Sequence, residues 1–121
     1  MAKVVDNTVL DAAFGIIDNA IRMAVCSAQP ANYAGIAAVT LAQATVAPGD
    51  FTIADGTTSG RKVTVAAKTA VSITASGSAT HVVLHDNVSV MQYVTTCTTQ
   101  ALVSGGTVDI GSWAIEIADP A

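Results

Sequence analysis

The sequence predicts a mainly β fold, a β-sandwich or barrel-like antiparallel sheet with one N-terminal amphipathic helix. Segments that alternate apolar and polar residues recur along the chain, and turn residues separate them at close spacing. Valine and threonine, which fit a pleated and half-buried surface, number 16 and 15 among the 121 residues. Six or more such strands indicate a sandwich or barrel. The chain length predicts a single domain over residues 1–121.

The helix is predicted over about residues 8–22. Its apolar positions are spaced four, three and four residues apart, which places them on one helical face. These positions are Leu10, Phe14, Ile17 and Ile21, with Ala13 and Ala20 on the same side. Asn7 or Thr8 is the expected N-cap, because both side chains can accept a hydrogen bond from a backbone amide. The helix is expected to lie against a sheet, with residues 1–7 as an extended arm in front of it.

A series of strands is predicted after the helix. They are expected at residues 23–28, 51–53, 62–66, 70–74, 81–85, 89–97, 107–110 and 112–118. Proline, glycine, aspartate and serine clusters mark the turns between them. In the last strand Trp113, Ile115 and Ile117 alternate with Glu116, which predicts one buried and one exposed face. Residues 31–49 give no clear prediction, because their alanines favour a helix whereas Gly35 and the β-branched residues oppose it.

The chain carries few charges for its length. Charged residues make up 12% of the sequence, about half of what an ordinary soluble domain has, and the net charge is −4. Partner proteins that cover part of the surface would explain this composition, and so would a compact exterior of threonine, serine and alanine. Five basic residues, of which only Arg61 and Lys62 are adjacent, argue against direct nucleic-acid binding.

Membrane insertion and secretion are not predicted. No apolar run approaches the roughly 20 residues of a membrane span, and the N-terminal sequence has no signal-peptide core. The expected place of synthesis is therefore the cytoplasm, where disulfides are rare. Cys26 and Cys97 are accordingly interpreted as small buried hydrophobic residues, and their spacing fits neither a zinc site nor a redox pair.

Enzyme chemistry is not predicted either. Phosphate-loop, dinucleotide-binding, nucleophile-elbow and metalloprotease motifs are absent from the sequence, and no cofactor is expected. His81 and His85 have the spacing of a helical zinc site, but on a strand two residues four apart lie roughly 13 Å from each other. That distance excludes a shared metal ion, whose histidine ligands lie about 2 Å away. Both histidines are expected to be partly exposed on one strand face.

The aspartates in the turns offer a second arrangement that could bind metal. A calcium site would require the loops that carry Asp55, Asp86, Asp109 and Asp119 to converge, and their spacing is not that of an EF-hand. Aspartate in a turn more often accepts hydrogen bonds from nearby backbone amides. No metal site is therefore predicted. A catalytic Cys97–histidine pair is disfavoured too, because nothing in the surrounding sequence would lower the pKa of the thiol.

Several segments resemble small structural proteins of tailed bacteriophages. The resemblance covers nearly the whole chain and lies in the order and style of the segments at residues 1–13, 25–30, 50–65, 79–86, 93–97 and 114–120. It implies a capsid decoration protein on the outside of the virion head, bound to the major capsid protein at capsomer junctions and associated as a trimer. A tail or fibre component that contacts the host or baseplate is the alternative that the resemblance leaves open.

The arm in front of the helix is the predicted contact with the capsid or with another subunit. Lys3, Val4, Val5 and Asp6 are its candidate contact residues, because an extended segment with two valines can add a strand to an exposed sheet edge. An ordinary frayed terminus, or a strand of the protein's own sheet, would have the same sequence. A small enzyme or ligand-binding β-domain of cellular origin is the third possible class, and the residue inventory argues against it.

Overall fold

A computed structural model describes residues 6–117, which form one helix of three turns, one short α-helix, two 3-10 turns and nine strands. The helices are α1 (Asn7–Ile17) and α2 (Ile36–Val39), and 3-10 turns cover Tyr33–Gly35 and Pro48–Asp50. The strands are β1 (Arg22–Cys26), β2 (Thr40–Thr45), β3 (Phe51–Asp55), β4 (Arg61–Val65), β5 (Lys68–Ser72), β6 (Gly77–His85), β7 (Met91–Leu102), β8 (Thr107–Ile110) and β9 (Trp113–Ile117). The predicted mainly β fold with an N-terminal helix is confirmed.

Helix α1 begins one residue earlier than predicted and ends five residues sooner. Asp6 is its N-cap, and the carboxylate accepts a hydrogen bond of 2.8 Å from the amide of Thr8. The prediction that Asn7 or Thr8 caps the helix was therefore wrong. The helix ends at Ile17 because the sheet takes up the residues that follow. The amide of Ile21 donates to the carbonyl of His85, and β1 begins at Arg22.

Sheet A is the largest sheet and is antiparallel throughout. Its strands lie in the order β2-β1-β6-β7, and β1 pairs with β6 from Arg22 opposite His85 to Cys26 opposite His81. Both of its faces are covered, so β1 and the end of β6 are almost continuously buried. One face carries Met23, Val25, Val82 and Leu84 into the main core, where Phe14 of α1 and Val63 of β4 also lie. The opposite face forms a smaller second core.

The segment that gave no clear prediction covers the second face of sheet A. The turn at Tyr33–Gly35 and helix α2 lie over Ala24, Cys26 and Val83, and Ile36 is buried against them. Asn32 caps the 3-10 turn through its side chain, which accepts from the amide of Gly35. The chain then enters β2, which pairs with β1. Local propensity could not settle this segment because packing on the sheet determines its conformation.

Two smaller antiparallel sheets complete the sandwich-like fold. Sheet B has the order β3-β4-β9, and sheet C pairs β5 with β8. Sheet C continues from sheet A through a bridge between Ala42 and Ile73 and through amides of residues 74 and 75 that donate to the carbonyl of Leu41. Strands β7 and β8 are therefore two ends of a rolled array that does not close into a barrel. Ile115 is buried and Glu116 exposed in β9, as the alternation predicted.

Candidate functional site

The two histidines lie on one face of β6, as predicted, but they differ in burial. His81 is half-buried, whereas His85 retains only 2% of its accessible surface. The expectation that both are partly exposed was wrong for His85, because the segment at residues 33–39 covers its side of the sheet. The four-residue separation along a strand keeps the two rings roughly 13 Å apart. Within residues 6–117 no group of three metal-binding side chains is found.

The buried His85 ring joins three elements of the fold. Its Nδ1 accepts a hydrogen bond of 3.1 Å from the amide of Asn87, and its Nε2 lies 2.9 Å from the side-chain Nε2 of Gln43. The edge of the ring packs against Tyr33 with centroids 5.7 Å apart. Burial lowers the pKa of His85, and the charge of Arg22 lowers it further, whereas Asp86 opposes both. The ring is consequently a neutral structural link.

Three of the four turn aspartates make a hydrogen bond or an ion pair within the fold, and these three carboxylates do not share a partner. Asp86 Oδ1 accepts from the amides of Val88, Ser89 and Val90, each at 2.9 Å, as predicted for an aspartate in a turn. Asp109 accepts at 2.8 Å from the amide of Ala70 on the neighbouring strand. Asp55 pairs with the guanidinium of Arg61, and Asp119 lies outside the described residues.

Arg61 fastens α1 to sheet B. Its Nε lies 2.9 Å from Asp11 of the helix, and its Nη1 lies 2.8 Å from Asp55 of the adjacent strand. These two hydrogen bonds raise the pKa of Arg61, with smaller contributions from the charges of the two carboxylates. The guanidinium of Arg61 is therefore paired with two carboxylates of the same chain.

Both cysteines are free thiols of low reactivity. Cys26 is fully buried in the second core and Cys97 is half-buried in β7. Burial raises the pKa of both thiols, and the charge of Cys97 also raises the pKa of Cys26, which places them in the same region of sheet A. A raised pKa reduces the thiolate population, which is the nucleophilic form. Neither position has the environment of a catalytic cysteine.

The outward side of α1 is apolar as well as the inward side. Leu10 and Phe14 are buried beneath the helix, but Val9 and Ile16 are 61% and 59% exposed. We call the exposed set the outer α1 stripe: Val9, Ala12, Ala13 and Ile16, which follow i, i+3, i+4 and i+7 spacing. The prediction that Ala13 and Ile21 share the buried face was wrong, since both are exposed. This spacing matches that of a helix that packs on both sides.

A second exposed apolar feature lies at the loop between β6 and β7. Val88 is 75% exposed and Val90 is 43% exposed, although the loop has a defined shape. Asp86 binds its amides, the amide of Asp86 donates to the carbonyl of Val90, and Asn87 adopts a φ of 61° that asparagine tolerates. The loop therefore holds two valines outward in an ordered conformation, and we call residues 86–90 the valine loop.

An open cleft lies beneath the edge of sheet A, between β7 and the strands β8 and β9. We call it the β7 cleft, and its volume is about 360 Å³. Apolar side chains dominate its lining, and Asp109 is the one charged residue among the lining residues that are described. Principal lining residues are Val25, Val82, Cys97, Leu102, Ile110 and Trp113. The Nε1 atom of Trp113 is buried and finds no acceptor within residues 6–117. The cleft thus exposes part of the main core at the unclosed side of the sandwich.

The candidate arm is only partly covered by the structure. Lys3, Val4 and Val5 lie outside the described residues, and Asp6 serves as the N-cap of α1. The helix also includes Asn7, so the segment that precedes it ends at residue 5. The outer α1 stripe, the valine loop and the β7 cleft were all missed by the sequence reasoning. The 9-12-13-16 spacing was visible in the sequence, but it was obscured by the stronger Leu10–Phe14–Ile17 pattern.

Comparison of the chain with protein-family models, with curated proteins and with solved structures finds no match. Among residues 6–117 no helix is long and apolar enough to cross a membrane.

Proposed function

We propose that this chain is a decoration protein of a tailed-phage head, which binds the outside of the assembled capsid at capsomer junctions and stabilises it as a trimer. The outer α1 stripe is the observation that supports this proposal most directly. Burying an exposed valine or isoleucine contributes roughly 1.5–3 kcal/mol, and the stripe presents two of them around a pair of alanines. Alanines allow close approach of a partner surface.

The low charge and the valine loop support the same role. Charges make up 12% of the sequence, and a surface with few charges has little desolvation to overcome when it meets a protein partner. Val88 and Val90 add a second apolar contact on a hairpin held in shape by Asp86. Several weak contacts suffice for a decoration protein, because a trimer engages several capsomers at once and a protein that binds only the assembled lattice stabilises that lattice.

The phage origin and the head location come from the resemblance of the sequence segments. The tail or fibre alternative has less support from the fold. A receptor-binding surface for sugars would present exposed aromatic rings, whereas Tyr93 stacks on Trp113 with centroids 6.0 Å apart and Tyr33 packs on His85. All three aromatic residues are half-buried.

The direct experiment is a binding assay on phage heads before and after expansion. The double variant Val9→Lys, Ile16→Lys is expected to lose binding to expanded heads, because two charges interrupt the apolar stripe. Ser72→Lys with Ser78→Lys adds the same charge at exposed positions of β5 and β6 and is the matched control. Unchanged tight binding of the stripe variant would reject the role of α1. Failure of the parent protein to bind any head would reject the function.

Location in the virion separates head from tail. Labelled protein in electron micrographs of purified virions should lie over the head surface, and label confined to the tail would favour the alternative. A second variant that lacks residues 2–5 retains Met1 and the Asp6 cap of α1, so its head binding reports on the arm without removing the helix start.

A further inference from the structure

Strand β7 is the edge of sheet A that is best suited to accept another strand. It is the longest described strand, with 12 residues, and no other described strand pairs with its outer side. It also contains no charged residue. Exposed edges of this kind present unpaired backbone N–H and C=O groups and are templates for strand addition.

The other edge strands differ from β7 in charge or in coverage. Edges β3 and β9 carry Asp55 and Glu116, and the strands of sheet C carry Lys68 and Asp109. The edge of β2 continues to sheet C through the bridge of Ala42 to Ile73. Charged side chains are a common device that discourages edge pairing. Among the described edges, β7 alone is long, uncharged and without a neighbour.

The β7 cleft beneath this edge provides side-chain pockets for an added strand. Alternate residues of such a strand would point into the cleft, toward Val82, Leu102 and Ile110. Asp109 at the cleft favours a basic residue in the occupant.

We infer that the β7 cleft receives residues 1–5 of a second copy of this chain, paired along β7, so that the subunits of the oligomer are linked by exchanged arms. This inference rests on the self-association contained in the proposed function. The segment Met-Ala-Lys-Val-Val supplies two β-branched apolar residues and a lysine that complements Asp109. The C-terminal residues 118–121 fit poorly, because Asp119 would repel Asp109 and Pro120 cannot donate a strand hydrogen bond.

The self-association contained in the proposed function selects the cleft of a second copy. Helix α1 contacts β7, and an arm of five residues is about 17 Å long when extended, so its length reaches a cleft of either subunit. Exchange of an N-terminal segment from each subunit to the next forms a head-to-tail contact, and such contacts close into rings such as trimers.

Disulfide trapping on the native Cys97 tests the inference. Val4→Cys and Val5→Cys, each in the full-length protein, are treated with a mild oxidant and separated without reductant. One of the two is expected to yield cross-linked species of twice the subunit mass or more, because neighbouring residues of a strand face opposite sides. Adding Cys97→Ala should abolish the product. Val9→Cys on the exposed side of α1 is the matched control and should yield no link to Cys97.

Other occupants of the cleft give different products. An intramolecular link at the mass of one subunit would mean that the arm fills its own cleft, and a Cys97–Cys97 link in the parent protein would mean that two β7 edges pair. Either result overturns the inference, as does the absence of any Cys97-dependent product. Native mass is the second readout, and deletion of residues 2–5 is expected to abolish the oligomer.

Charge pairing provides a further readout. Lys3→Gln and Asp109→Asn each remove one member of the expected ion pair, and the asparagine retains the acceptor for the amide of Ala70. Each variant should weaken the oligomer, and the double variant should weaken it no more than either single one. Strictly additive losses would contradict the pairing. These measurements do not involve head binding. An oligomer that is linked through its arms but binds no heads would therefore contradict the proposed function and support the inference.

Discussion

At the scale of single residues, a few polar side chains determine the shape of the surface that carries the apolar contacts. The carboxylate of Asp86 binds three successive amides, and those hydrogen bonds lower its pKa. The loop that follows is thereby held with Val88 outward. His85 acts from inside, where its Nδ1 accepts the amide of Asn87. Two adjacent residues thus fix one loop from opposite sides.

The buried histidine leads to a prediction about acid sensitivity. The pKa of His85 lies below its ordinary value of about 6.5, so the unfolded chain binds a proton at a pH where the folded protein does not. Its contribution to stability is complete above about pH 6.5 and is lost as the pH falls through the folded-state pKa. Each unit of displacement corresponds to about 1.4 kcal/mol of unfolding free energy.

Urea unfolding between pH 7.5 and pH 5 measures this effect. His85→Gln should flatten the decline in unfolding free energy over that range, because glutamine does not titrate. An equal decline in the parent protein and in His85→Gln would contradict the assignment. The carboxylates whose pKa is lowered, such as Asp86 and Glu116, lose their contribution at lower pH and do not interfere.

At the scale of elements, α1 shows how one helix can serve the core and a partner together. Its inward face fills the space over sheet B, and Arg61 ties it to β4 through Asp11. The exposed residues of the outer α1 stripe do not contribute to the main core. The two faces should therefore respond differently to truncation.

Phe14→Ala should lower the free energy of unfolding by about 3–5 kcal/mol, because the ring is 1% exposed and leaves a cavity in the main core. Ile16→Ala, on the same helix but 59% exposed, is expected to change stability by less than about 0.5 kcal/mol. Chemical denaturation of both variants, measured at a protein concentration where the parent is monomeric, provides the comparison. Equal losses would show that the two faces of α1 are not distinct.

At the scale of the whole molecule, one core joins all three sheets. Side chains from α1, sheet A, sheet B and sheet C belong to the same buried cluster, and Trp113 of β9 stacks on Tyr93 of β7. A shared core of this kind favours cooperative unfolding, because the loss of one sheet exposes the main-core faces of the other two.

We therefore expect a single unfolding transition. The fluorescence of Trp113, the only tryptophan in the sequence, should change at the same denaturant concentration as the far-ultraviolet circular dichroism. The fluorescence reports the contact between sheets, whereas the dichroism reports the strands and helices throughout the chain. Separate midpoints would indicate that the sheets unfold independently.

The fold class, the N-terminal helix and most of the strands could be predicted from local residue patterns. Alternation in residues such as Trp113, Ile115 and Glu116 has a period of two that the backbone geometry of a strand imposes, so it was readable without a partner. Turn chemistry was equally local, and Asp86 caps its own loop as predicted. The inward face of α1 followed from its 3.6-residue period.

Contacts between distant segments determine where α1 ends, how residues 31–49 fold and which surfaces stay open. Ile21 fits a helical stripe by spacing, but its amide bonds to His85 of β6, a partner 64 residues away. His85 is buried because the segment around Tyr33 lies over it, and β7 is an open edge because the sheets do not close. These features depend on contacts between distant parts of the chain, which no local pattern of residues encodes.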